Sequence, residues 1–90
     1  MNNMLWKQIG FVKRSVNRTK ILKIMITPIM PSEVGRAMGI SLTHASKIIR
    51  ELHSKKLITC LNDELKVGRI YQISTVGKKI LKKIEEIKPK

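Results

Sequence analysis

The sequence predicts a mainly α-helical domain with a small β-hairpin, an α+β fold, on three observations. Residues 30–58 read as two helices joined by a tight turn at Gly39. Two short β-like runs, residues 57–61 and 69–73, flank a polar tip of seven residues, Asn-Asp-Glu-Leu-Lys-Val-Gly. A final stretch, residues 74–88, repeats large aliphatics at helical spacing. Ninety residues suit one domain with one small core, because a chain of this size buries about 60–70% of the surface its unfolded form exposes.

Taken in order, residues 1–14 form an N-terminal extension, expected as a short helix broken at Gly10 and then an extended piece. Trp6 in it is expected to be a core or dimer-contact residue. Over residues 15–26 Val16, Ile21, Leu22, Met25 and Ile26 recur at helical spacing, and Thr27-Pro28 ends that helix, since the residue before proline is pushed out of helical geometry. The next helix, 31–38, opens on Pro31, whose missing N–H costs nothing there, and carries Glu33 at its positive end. Ser41 can cap a third helix, 41–54, almost at once. Ala45, Ile48, Ile49 and Leu52 gather on its apolar side; Thr43, His44, Ser46, Lys47 and Arg50 occupy the other, and are types that reach base edges and phosphates.

The hairpin spans residues 57–73, with Lys66 and Arg69 near its tip, where a cation reaches a minor groove or a phosphate; Asp63 and Glu64 in the same tip oppose that reading, and plain solvation is its rival. Ser74 caps the helix 74–88, in which Val76, Ile80, Leu81, Ile84 and Ile87 form an apolar stripe and Lys78, Lys79, Lys82 and Lys83 the wet side. That is more aliphatic surface than a small core obviously needs, so a homodimer through Ile80, Ile84 and Ile87, joined by Trp6, is expected.

Nineteen Lys and Arg against six Asp and Glu give a formal charge of +13, for which nucleic acid is the obvious polyanion. Only Trp6, Phe11 and Tyr71 are aromatic, too few for stacked single-strand bases, so duplex is favoured. No apolar run approaches the ~20 residues of a membrane span, and the N-terminus lacks a secretory signal, so a cytoplasmic, nucleoid-associated protein without membrane contact is expected. No catalytic set is legible: Asp63-Glu64 and Glu85-Glu86 are joined to no nucleophile or histidine, and Gly-Arg-Ala-Met-Gly lacks the lysine of a phosphate loop. An enzyme is not expected, nor a cofactor. His44 and His53 lie nine residues apart and face opposite sides of one helix, which disfavours a shared metal. Cys60 reads as a small apolar strand residue, with redox sensing the rarer alternative.

The order of three helices, hairpin and helix, with the turn Met-Gly-Ile-Ser and the close Gly-Arg-Ile-Tyr-Gln-Ile-Ser-Thr-Val-Gly, resembles the winged helix-turn-helix transcription regulators of the MarR and ArsR type. Small archaeal-looking members with a Trp-x-x-Ile-Gly-Phe-Val-x-x-Ser start are the nearest in pattern, and the likeness covers about residues 5–84. It implies a winged helix-turn-helix with a three-helix core, a wing and a C-terminal helix. It also implies that residues 41–53 are the recognition helix, with Ser41 at its start, Leu42, Thr43, His44, Ser46 and Lys47 towards the major groove and Arg50 nearer the backbone. Ser32 would then contact a phosphate, and Lys66 and Arg69 belong to the wing. Two positions depart from the pattern, Lys56 where the family has a helix-ending glycine and Met30 where it has a polar cap. The paired cysteines of ArsR metal sensors are missing from the recognition region. The expectation is a sequence-specific double-stranded DNA binder, a homodimeric transcription regulator. A non-specific architectural protein and a winged-helix protein-interaction module are the alternatives. A small-molecule effector is not indicated; its pocket would lie between the wing and the terminal helices or at the dimer interface.

Overall fold

Capping and burial divide the chain into five helices and one two-stranded antiparallel hairpin, described over residues 3–87 of a computed structural model. Helix α1 is Asn3–Lys13, α2 Val16–Ile24, α3 Pro31–Met38, α4 Leu42–Ser54 and α5 Thr75–Ile87; the strands are β1 Ile58–Cys60 and β2 Tyr71–Ile73. Serines start three of the helices. Ser15 Oγ accepts from Arg18 N at 3.2 Å, Ser41 Oγ from His44 N at 3.1 Å and Ser74 Oγ from Gly77 N at 3.0 Å, each taking up an amide that has no partner within its helix. At α3 the capping position is Met30, which has no side-chain oxygen; Glu33 reaches back instead and accepts from Met30 N at 2.9 Å. Gly39, at φ +69°, ends α3 in the left-handed conformation.

Helix α1 corrects the expected break at Gly10, because it runs unbroken to Lys13. Ile9 and Val12 lie on one side of it and are buried, with Leu5 and Phe11 packed against the same core. That burial outweighs the roughly 1 kcal/mol a mid-helix glycine costs. Helix α2 also stops earlier than expected, with Met25 as its cap. There the chain turns to serve the sheet: Met25 O accepts from Ile73 N at 2.7 Å, and Ile26 O from the Gln72 side-chain amide at 3.1 Å.

Strand β2 is consequently bonded on both of its edges. On one side it pairs with β1 in the register Ile58 with Ile73, Thr59 with Gln72 and Cys60 with Tyr71. On the other, Ile29 and Tyr71 exchange both backbone hydrogen bonds at 2.9 Å. The one-residue bridge at Ile29 has no period for a sequence pattern to reveal.

The core lies between the five helices and the sheet, around Leu22, Met25, Ile49, Leu52, Leu57 and Ile80, and holds no buried polar or charged residue among those described. Arg18 ties three helices at its edge: its guanidinium donates to Phe11 O at 2.8 Å, meets Glu51 Oε1 at 3.3 Å and lies 3.9 Å from the Phe11 ring centroid.

Lys56 follows α4 with φ +62°, a left-handed conformation that costs a residue with a Cβ about 1–2 kcal/mol. Its carbonyl is fixed by Ser74 Oγ, which donates to it at 2.8 Å. Replacing Lys56 with glycine is expected to raise stability by about 0.5–1 kcal/mol, the greater freedom of glycine when unfolded offsetting part of the relief. Thermal unfolding should show a midpoint several degrees higher; an unchanged or lower midpoint contradicts the strain.

Candidate nucleic-acid interface

Helix α4 owes its position to its packing on α3. Gly35 sits at their crossing, where a Cβ would lie 3.1 Å from Ile40 O and 3.8 Å from the Ala45 Cβ, so its hydrogen side chain lets the turn close tightly. Ala45, Ile48, Ile49 and Leu52 are buried, which fixes the rotation of α4 about its own axis. At about 100° per residue, Thr43, Lys47 and Arg50 then fall within about 60° of one another, centred opposite that apolar side. All three are exposed, as are Leu42 and His44, while Ser46 is half-buried. The stretch 41–50 contains no carboxylate, and Glu33, the one acidic residue of α3, caps its own helix. An exposed ridge about 14 Å long thus carries two cations, hydroxyls and an imidazole with no acidic residue among them.

Other expected site residues fare differently. Ser32 is half-buried in the first turn of α3. Ser41 is exposed and engaged as the α4 cap. Lys66 is exposed at the hairpin tip. Arg69 braces the tip: its guanidinium donates to Leu65 O through Nε and to Asp63 O at 3.4 Å. Those carbonyls belong to a loop short of backbone partners, and a fork of donors suits them. Asn62 completes the bracing, its amide donating to Gly68 O at 3.1 Å and its oxygen accepting from Ile70 N at 2.7 Å. The composition of the tip shows neither role.

The aliphatic stripe expected to join two copies is largely used within one. Ile80 and Ile84 are 0% and 4% exposed beneath α1 and α2, so they lack the free surface a dimer contact needs. Ile87 ends α5, and its side chain lies outside the described residues. Trp6 keeps 49% of its surface exposed. The rings of His53 and Tyr71 meet nearly at right angles, 5.8 Å between centroids, so His53 faces the sheet rather than the ridge. Cys60 is half-buried, its thiol 3.7 Å from Asn62 Oδ1. Among the described residues no group of His, Cys, Asp or Glu is arranged to hold a metal, and no helix is long and apolar enough to cross a membrane. No protein-family model and no curated protein matches the chain.

Proposed function

We propose that this chain is a winged helix-turn-helix of the MarR and ArsR kind that binds duplex DNA sequence-specifically and regulates transcription, with α4 in the major groove. One observation carries the reading: the exposed ridge of α4 sets Thr43, Lys47 and Arg50 opposite a buried side, with His44 exposed on its flank, and has no carboxylate along it. A major groove about 12 Å wide admits a helix presented in this way, and its base edges offer acceptors to Lys47 and Arg50 and mixed partners to Thr43 and His44. The formal +13 supplies the phosphate attraction that any duplex binder needs. Regulators of this kind act as pairs of copies on half-sites about 34–36 Å apart, and we extend that to this chain; Ile80 and Ile84 take no part in the pairing.

Direct readout has a specific consequence. On a duplex enriched from a random library, Thr43→Ala and His44→Ala are expected to lower affinity for the enriched site by about fivefold to a hundredfold, and to leave scrambled DNA nearly unaffected. Titrations of both duplexes with each variant test it, and equal losses on the two duplexes contradict base contact by these side chains. The +13 charge alone would equally serve an architectural protein, which predicts no enriched site at all.

A further inference from the structure

The hairpin tip is out of character with the rest of the chain. Residues 61–70 carry Asp63 and Glu64 against Lys66 and Arg69, a formal charge of zero in a protein of +13. Arg69 is folded onto the tip's own carbonyls. Leu61, Leu65 and Val67 stand 52%, 45% and 87% exposed beside the two carboxylates. Such a surface offers phosphate no net attraction and leaves aliphatic area in water, so it is better suited to protein than to DNA.

Its complement lies on the same chain. A groove of about 730 Å³ runs between α1, the end of α4 with the turn after it, and the start of α5. Leu5, Phe11 and Val76 supply its apolar floor, and Lys7, Lys55, Lys56 and Lys79 its cationic rim, with no carboxylate among the lining residues. Gln8 ties two of its walls by donating to Lys55 O at 2.9 Å. None of these four lysines is in an ion pair among the described residues.

The carboxylates connect the two surfaces. Glu33 caps α3, Glu51 holds Arg18, and Glu85 and Glu86 pair with Lys23 and Lys83 at 3.7 Å each. Asp63 and Glu64 are the two of the six without a cationic side-chain partner or a capping role among the described residues, and they flank exposed aliphatics as the groove lysines flank an apolar floor. We propose that the hairpin tip of one copy seats in the groove of a second copy of this chain, its aliphatics on the floor and its carboxylates among the lysines. The contact joins two different surfaces, so it repeats from copy to copy unless it closes reciprocally. Mutual repulsion of the +13 copies opposes it and is screened over about 8 Å at physiological salt, so phosphate neutralisation on a duplex strengthens it.

The contact is tested without DNA, so its failure is distinct from failure of the DNA-binding reading. Sedimentation of the full chain from micromolar to millimolar concentration, at about 0.15 M salt where screening is short-ranged, is expected to show self-association. The doubly reversed tip, Asp63→Lys with Glu64→Lys, should weaken it by about tenfold or more, as should Lys55→Glu with Lys79→Glu in the groove; mixing the two variants should restore association. Should the groove variant fail to fold, the tip variant mixed with wild type remains informative, because its intact groove still accepts a wild-type tip and gives mixed pairs. A monomeric wild type throughout, association indifferent to the reversed tip, or folded variants that do not recombine overturns the proposal.

Discussion

Gly77→Ala is expected to destabilise the fold by about 3 kcal/mol or more, at or beyond the upper end of what overpacking usually costs. The added methyl would overlap the Leu57 carbonyl oxygen and come within 2.7 Å of Ile73 Cγ1. Neither neighbour has room to retreat. Leu57 O accepts from Ser74 N at 2.9 Å, and Leu57 is itself fully buried, so moving the carbonyl breaks that hydrogen bond and disturbs the core. Ile73 is held from both sides, by Ile58 in the sheet and by the hydrogen bond its backbone N–H donates to Met25 O. Against a total stability of about 5–15 kcal/mol, such a loss leaves a marginal domain, with a midpoint lower by about 12 °C or more. Gly39 is the control: its φ is +69° and nothing lies within 4 Å of the Cβ position, so alanine there meets only backbone strain of about 1–2 kcal/mol. Thermal or urea unfolding of both variants checks the difference. A Gly77→Ala midpoint no lower than that of Gly39→Ala contradicts this account of the junction between the hairpin and α5.

The second large effect concerns binding. Lys47→Glu combined with Arg50→Glu is expected to weaken duplex binding by about a hundredfold or more, since two phosphate or base contacts of about 1–3 kcal/mol each are removed and two like charges introduced. Both side chains are exposed, so far-UV spectra and unfolding midpoints should stay close to the parent's. The salt dependence should also flatten, by about one unit of slope for each phosphate that no longer meets a cation. Fluorescence anisotropy with a labelled duplex reads both quantities, and a weakening under threefold would remove α4 from the interface.

Much of the fold is legible in the sequence because helix boundaries are local chemistry. Ser15, Ser41 and Ser74 cap by accepting an amide three residues on, and Pro31 and Gly39 mark the ends of α3 by backbone geometry alone. The apolar side of α4 is equally plain, and its burial sets the polar ridge opposite. What escapes a reading of the sequence depends on distant parts of the chain. Gly10 stays helical because Ile9 and Val12 are buried against other elements, and Ile29 joins the sheet as a single residue. Ile80 and Ile84 read as more aliphatic surface than a small core needs, yet both are buried where α5 packs on α1 and α2. Arg69 shows the same limit in the candidate site. Its two bonds to the carbonyls of Leu65 and Asp63 brace the tip, and no pattern in the sequence marks them.

Regulation through a defined DNA site requires that the ridge of α4 read base sequence. Selection of bound duplexes from a random library, followed by affinities for enriched and scrambled sequences at matched salt, tests it most directly. A base-reading α4 gives a recurring motif, palindromic if two copies bind together, and a gap of about a thousandfold or more between enriched and scrambled DNA. Tight binding with no enrichment contradicts sequence readout and leaves phosphate attraction alone to hold the duplex, while absence of binding to any duplex contradicts the interface itself.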